Sequence, residues 1–437
     1  MVDVAEIKLW GKLLGAVRWD ALEQFASFEF APTFRHSAWD VSPIKMPLSQ
    51  ANHIFRFPEL RAQRSAEFDT FRGLPGLLAD VLPDKYGNSI IQAWLSANGR
   101  ASNSMNPVEQ LCFIGQRGMG ALEFEPIVLK SQQKSFSIEI ESLVAYAQKL
   151  LQKREGFQTN LFVQEQKAMN EILRIGTSAG GARPKAVIAF NEKTGEVRSG
   201  QASIPKGFSH WMLKLDGVSE AQFGTSFGFG RVEMAYYMMA KAAGIEMMES
   251  RLLEENGRAH FMTRRFDRTD DGEKIHMQSL CALRHFDFNQ IGAFSYEQLF
   301  ETMRMLRLPY PQAEQMFRRM AFNILARNCD DHTKNFAFLM DKFGNWSLAP
   351  AYDICFAYRP DSYWVSKQSL SMAGKRESFE LSDFLQVAKQ MNIKRAPSIL
   401  QEINSALSRW PEFAETTGIK KELSSHIQQN LQHLKEK

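Results

Sequence analysis

The densest grouping of reactive side chains lies in FNILARNCDDHTKNFAFLM, residues 322–340. Within positions 330–335 stand two adjacent carboxylates, a histidine, a lysine and an asparagine, set between an apolar helix-like run and an apolar strand-like run. A structural core gains little from such density, because each buried polar group needs its own partner. The segment is either a solvated loop or a site. Asp330 is followed five residues later by Asn335. That is the spacing of a kinase catalytic loop, in which the Asp orients the attacking hydroxyl and the Asn holds metal. Further on, Asp353 is the lone carboxylate of SLAPAYDICF, residues 347–356, where a kinase places a second Asp for Mg2+. DIC replaces the common DFG, which rules against a standard eukaryotic-type kinase.

Two other segments supply cations and small residues. In IGTSAGGARPKAVIAF, residues 175–190, only small residues fill positions 176–182. Such a backbone can approach a ligand closely and offer its N–H groups to anionic oxygens. Arg183 and Lys185 follow directly. Gly176 and Gly181 have the Walker spacing, but Ala182 stands where a Lys belongs, and the loop is not the GxGxxG of ordinary protein kinases. It reads as a phosphate cradle or as a flexible turn. In HWMLKLDG, Lys214 interrupts an apolar strand. A buried ammonium is costly without a partner, so Lys214 is an edge-strand lysine in water or one held by an acid. Glu233, in the next helix pattern, is spaced to allow the latter, as kinase-type sites do.

Other chemistries fit less well. Cys329 and His332 form one close pair and Cys355 stands apart, whereas structural zinc wants four ligands. No GxSxG elbow is present for a Ser-His-Asp hydrolase. Gly115, Gly118 and Gly120 precede a strand pattern rather than a helix, so they read as a tight turn.

The elements that must position these groups are legible in outline. VDVAEIKLWGKLLGAVRWD alternates around a Gly turn as a hairpin does, and FASFEFAPTF alternates again. Two Leu-Pro steps bound a short apolar helix, and Asp84 stands near the start of the next. ARPKAVIAF and HWMLKL read as strands joined through a turn at Glu192–Gly195, RVEMAYYMMAKAAGI as a helix ended by Gly244, and RAHFMTRRF as a strand. After about residue 285 the patterns are almost wholly helical. The expected fold class is α+β, a β-rich first part joined to a helical lobe.

Composition narrows the class. With 437 residues, 44% hydrophobic and 23% charged, a disordered, collagen-like or coiled-coil chain is excluded. A net charge of +4, spread along the chain, is too weak to argue for nucleic-acid binding. Four scattered cysteines without a CxxC pair suit a reducing compartment. No run approaches the roughly 18 to 20 apolar residues of a membrane span, and the first residues lack the pattern of a secretory signal. The expectation is a soluble cytoplasmic protein that engages no membrane.

TSAGGARPK, HWMLKL, TRRFDR, NCDDHTKN and LAPAYD, in this order and at these intervals, resemble the HipA family of bacterial serine/threonine kinases, the toxins of HipA–HipB modules. GLPGLLADVLPDKYGN and GQRGMGALEFEP resemble its N-terminal domain, so the likeness covers nearly the whole chain. The resemblance implies a small β-rich N-terminal domain, residues 1–135, packed on an atypical two-lobed protein-kinase-like core, residues 136–437. The N-lobe would run to about 268 and a helical C-lobe from about 269. It implies ATP and Mg2+ as cofactors, with Asp330 as the catalytic base and Asn335 and Asp353 as metal ligands. Ala179, Gly180, Gly181, Lys185, Lys214 and His332 would contact ATP. Arg264 and Phe266 fall where the hinge backbone holds adenine, with Asp267 close to the ribose. Ser178 matches the loop serine that the family autophosphorylates, expelling the loop and blocking ATP. The sequence departs from the family at ARPK, at Thr177 beside Ser178, and at Asp331, where a Gly is common and a carboxylate could add a metal contact or merely hydrate. The implied activity is that of a growth-arresting toxin, with an aminoacyl-tRNA synthetase as the kind of substrate and a HipB-like DNA-binding antitoxin as partner, DNA being contacted through that partner. A solitary signalling kinase and an inactive ATP-binding scaffold are the alternatives.

Overall fold

The computed structural model describes residues 2–62, 69–128, 137–152, 183–200, 204–218 and 228–434. The chain divides into two compact units. The first comprises residues 1–227, 253–277 and 342–344, and the second residues 228–252, 278–341 and 345–437. No helix among the described residues is long and apolar enough to cross a membrane.

The first unit opens with the expected hairpin. β1 (Val4–Leu9) and β2 (Lys12–Asp20) are joined by Trp10 and Gly11, with φ of 49° and 78°. Two successive positive φ values match the twist of a two-residue hairpin turn. β3 (Phe25–Phe30), β4 (Phe55–Arg56) and β5 (Leu122–Glu125) complete an antiparallel sheet in the order β4-β3-β2-β1-β5. Alternate residues face inward, as in Ala5, Ile7 and Leu9 of β1. Gly15 sits where the β1–β2 register shifts, and a Cβ there would lie 2.2 Å from the Glu29 carbonyl oxygen. Gly15→Ala is therefore expected to cost about 1–3 kcal/mol through overpacking, read as a lowered midpoint in urea or thermal unfolding. An unchanged midpoint would mean that β3 moves aside without cost.

Helix α1 (Gly76–Ala79) lies between the two Leu-Pro steps, and α2 (Lys85–Ala97) is capped by Asp84, whose side chain accepts from the Gly87 N–H at 2.9 Å. α3 (Pro107–Ile114) and α4 (Ile140–Gln152) follow. The second sheet has the order β7-β6-β8-β10-β9, built from β6 (Lys185–Phe190), β7 (Val197–Ser199), β8 (Ser209–Lys214), β9 (Ser250–Glu255) and β10 (Arg258–Arg264). One continuous core joins this sheet to the preceding helices. Ile90 and Leu95 of α2, Phe113 of α3 and Val144 of α4 pack with Ala186, Ile188, Trp211 and Leu213. Each fully buried large side chain contributes about 1.5–3 kcal/mol.

Polar ties stitch the same regions together. Lys274 Nζ donates to the Gln116 carbonyl and to Glu123, both at 2.8 Å, and Arg268 Nη1 donates to the Gly120 carbonyl at 3.2 Å.

The second unit is mainly helical: α5 (Phe229–Ala242), α6 (Leu280–Arg284), α7 (Tyr296–Met305), α8 (Tyr310–Leu325), α9 (Leu381–Gln390), α10 (Ala396–Ser408), α11 (Trp410–Thr416) and α12 (Lys421–Asn430). Tyr236 of α5 is fully buried, its ring edge-on to Phe322 and Trp410 and its Oη donating to the Ala326 carbonyl at 2.7 Å. The stretch after residue 285 is less helical than its pattern suggests. β12 (Ala337–Met340) and β13 (Trp346–Leu348) form an antiparallel hairpin, with β11 (His276–Ser279) beside β12. No helix occurs from 349 to 380. Asp341 closes the hairpin by accepting from the Asn345 N–H at 2.9 Å, and Pro350 and Pro360 break any helical pattern after it.

Candidate active site

In the first unit two of the candidate residues, Lys185 and Lys214, share one face of the second sheet. β6 and β8 pair so that Lys185 stands directly opposite Lys214, and β8 and β10 pair Lys214 with Phe261. Strand alternation puts Ala186, Leu213 and Met262 in the core, so Lys185, Lys214 and Phe261 form a row on the other face. Lys185 is buried and its ammonium lies 3.7 Å from the Asp84 carboxylate. The Lys214 ammonium lies 5.8 Å from the centre of the Phe261 ring, within cation–π reach. Asp84 thus caps α2 with one oxygen and faces a lysine with the other, a role that its place before a helix did not reveal.

Arg264 pairs with Trp211 across the ladder, so its side chain lies on the opposite face from Lys214, where it meets Asp270 at 2.7 Å. Phe266 is half-buried in the chain that follows. Asp267, expected close to the ribose, follows Phe266 in the chain. It is wholly buried, accepts from Arg265 at 2.8 and 2.6 Å, from Arg268 at 2.8 Å and from the Gly120 N–H at 2.7 Å. Burial alone would raise its pKa, but the two guanidiniums outweigh it and hold the carboxyl well below the usual range. A carboxylate enclosed in this way forms a buried ion centre with the two guanidiniums. Thr177, Ser178, Ala179, Gly180 and Gly181 lie outside the described residues.

In the second unit the site grows from the end of α8. The helix closes with a Schellman pair, Asn328 N–H to the Asn323 carbonyl at 2.9 Å and Arg327 N–H to the Ile324 carbonyl at 3.3 Å. Arg327 takes the left-handed position usually given to Gly, at φ 57°, and its guanidinium stacks on Tyr358 at 3.7 Å. The next residues form the loop. Asp330 is half exposed, and His332 Nε2 lies 3.9 Å from its Oδ1. Asn335 Nδ2 donates to the Asp330 carbonyl at 2.7 Å, which fixes the span between the two.

The β12–β13 hairpin then returns the chain to the loop. Ala349 N–H bonds to the Ala337 carbonyl at 3.0 Å, and Tyr352 Oη donates to the Lys334 carbonyl at 2.6 Å. Cys329 N–H bonds to the Ala357 carbonyl at 3.0 Å. The residues flanking Asp353 are therefore tied to both ends of the loop that carries Asp330 and Asn335. Asp353 itself adopts φ 56°, a conformation that Asp tolerates better than most residues. Under it, the buried Arg319 donates to the Ala349 carbonyl at 2.7 Å. Burial lowers the Arg319 pKa to about 10, which leaves it a cation at neutral pH. The signal for this residue was present in the sequence, as an arginine pair inside the apolar pattern of α8. Glu233 is buried on α5 in this unit, and Lys214 belongs to the other.

Asp331 departs from both of its expected roles. It is 1% exposed and neither hydrates nor faces a metal. Its Oδ2 accepts from Tyr296 Oη at 2.6 Å and Gln368 Nε2 at 3.0 Å, and its Oδ1 from the backbone N–H groups of Ser369 at 2.7 Å and Leu370 at 3.4 Å. Burial pushes its pKa up to about 6, with these donors offsetting part of the shift. A raised carboxyl pKa contributes stability below its ordinary value, and that contribution is lost as pH rises through about 6. At neutral pH the fold thus carries this charge at a net cost.

The comparisons with known proteins agree with one another. The family model described as the HipA N-terminal domain matches residues 5–125, and the HipA-like C-terminal domain matches residues 177–410, more than half of the chain. Among curated proteins, "Putative kinase" of Haemophilus influenzae is 28% identical over 134 residues, which are 28% of this chain and 39% of that protein. "Putative kinase Y4mE" of Sinorhizobium fredii is 26% identical over 125 residues, 26% of this chain and 30% of that protein. The matches thus span well under half the length of these relatives. Among solved structures, the Shewanella oneidensis HipA chain, from a complex of HipA, HipB and operator DNA, superposes with a TM-score of 0.67 at 16% identity. It covers 98% of this chain and 95% of that one, a likeness of fold. On the two domain matches, which between them take in both the β-rich start and the segment carrying Asp330, Asn335 and Asp353, the chain belongs to the HipA family.

Proposed function

We propose that the chain is an Mg·ATP-dependent protein serine/threonine kinase, acting as the growth-arresting toxin of a type II toxin–antitoxin system. The observation that carries the reading is the hairpin that ties the Asp353 segment back to the loop of Asp330 and Asn335. In this reading Asp330 receives the substrate hydroxyl proton, and His332, at its side, helps to hold the loop against nucleotide. Asn335 and Asp353 hold Mg2+. With Asn335 Nδ2 committed to the Asp330 carbonyl, its Oδ1 is the end left to act as ligand. Among the described residues no three His, Cys, Asp or Glu side chains cluster as a metal site. A two-residue oxygen set still suits Mg2+, which keeps water and substrate phosphates as its remaining ligands. When bound, Mg·ATP supplies the transferable phosphoryl group and neutralises its charge.

Lys185 and Lys214 stand opposite each other on one face of the second sheet, Lys185 held beside Asp84, and we assign both to the nucleotide phosphates. We assign Ala179, Gly180 and Gly181, which lie outside the described residues, to the same phosphates, and the backbone at Arg264 and Phe266 to adenine. The proposed substrate is a translation protein such as an aminoacyl-tRNA synthetase. The proposed partner is a HipB-like antitoxin that carries the DNA contact, supported by the composition of the Shewanella complex. A cytoplasmic location accords with these roles.

Self-inactivation provides the test. A phosphate on Ser178 adds about −1.5 to −2 charges at pH 7 in the Gly-rich loop, where it repels nucleotide. Incubation with Mg·ATP is expected to release ADP and to place one phosphate in the Thr177–Ser178 pair, Ser178 favoured, read by mass spectrometry. The absence of both ADP and phosphoprotein after that incubation would overturn the kinase reading. A phosphate that persists in Ser178→Ala would move the site to Thr177 or elsewhere.

A further inference from the structure

The buried Asp331 carboxylate has no part in the chemistry just proposed, yet it joins three separate segments beneath the loop. Tyr296 opens α7, Gln368 to Leu370 form an irregular strap, and Asp331 itself belongs to the loop. The strap holds the loop at two further points, Gln368 Nε2 to the Asn328 carbonyl and Ser369 Oγ to the Cys329 carbonyl, both at 3.1 Å. Asn323 donates to Tyr296 Oη at 3.2 Å and accepts from Asn328 at 3.0 Å, closing a buried network around residues 328–331. Asp330 is half exposed and Asp331 enclosed, so the two neighbouring carboxylates point to opposite sides of one short stretch of backbone.

We propose that Asp331 is a positioning residue, whose carboxylate, by accepting from Tyr296, Gln368 and the Ser369–Leu370 backbone at once, fixes residues 329–331 and so sets the direction in which Asp330 is presented. The inference rests on the kinase reading for its activity arm only. All four neighbours are donors, so the site demands an acceptor at both oxygens. An asparagine of the same shape would turn an N–H towards one donor pair. The Gln368 amide cannot reverse without losing its bond to the Asn328 carbonyl. The donors offset part of the cost of burying the charge.

The test uses the full chain carrying Asp331→Asn or Tyr296→Phe. Three quantities are read: hydrogen exchange of the amides of residues 329–335, single-turnover transfer from Mg·ATP, and Mg·ATP affinity by calorimetry. For Asp331→Asn, protection and transfer should each fall at least about tenfold while affinity changes less than about threefold, as misplacement of a reacting group by an ångström would produce. Tyr296→Phe, which keeps the carboxylate and three of its donors, should show the same pattern more weakly. Protection and transfer both within about twofold of the parent would overturn the proposal. So would a loss of affinity and thermal midpoint in proportion to activity, which marks a merely structural role. If Asp331→Asn does not fold, Tyr296→Phe decides by the same criteria. If the parent itself transfers no phosphate, the kinase reading fails and the exchange measurement alone decides the clamp.

Discussion

Asp330→Ala is expected to lower phosphoryl transfer by about 10²- to 10⁴-fold, the contribution of a positioned general base, while Mg·ATP affinity stays near that of the parent. The side chain is about half exposed, so its removal neither opens a cavity nor strands a buried charge. The loop backbone keeps its other ties, among them Asn335 to the Asp330 carbonyl and Cys329 to Ala357. Asp331 cannot take over, because its oxygens are enclosed and already engaged. Labelled-phosphate transfer to protein, measured beside calorimetric ATP binding, checks both halves. Substantial residual transfer would remove Asp330 from the role of base.

Asp353→Ala should abolish the Mg2+-dependent part of ATP binding and, with it, transfer. A metal on the transferring phosphoryl is worth several kcal/mol of charge stabilisation, roughly a hundredfold or more in rate. Alanine also strains the backbone, since Asp353 holds φ 56°. Asp353→Asn separates the two effects, as Asn tolerates that conformation and loses only the charge. Calorimetry with ATP, with and without Mg2+, should show heat that depends on metal in the parent and no such dependence in either variant. Metal-dependent binding preserved in Asp353→Asn would place the Mg2+ elsewhere.

Local chemistry made much of this legible. The β1–β2 hairpin, the capping role open to Asp84 and the strands around Lys185 and Lys214 follow from alternation, turn residues and cap preference, all of which act over a few positions. The spacing of Asp330 and Asn335 survives because the loop itself spans it. What escaped depends on partners distant in sequence. The reach of Asp331 to Tyr296 and Gln368 crosses 35 and 37 positions, and that of Asp267 to the Gly120 N–H crosses 147. An aspartate in a polar string looks the same whether water or four donors surround it. Burial, which decides between the two, belongs to tertiary packing.

The stitching of residues 116–123 to 265–274 also bears on how such a protein can be divided in descent. The two matched regions end at 125 and begin at 177, which invites the picture of interchangeable modules. The apolar core runs through that division, and Asp267 takes one of its donors from Gly120 across it. A cut there would bare the packed faces of Ile188 and Trp211 and leave an enclosed carboxylate short of a donor. Grafting a foreign N-terminal region would have to restore both at once. Inheritance should therefore keep the halves together, with a change at Glu123 answered by a change at Lys274.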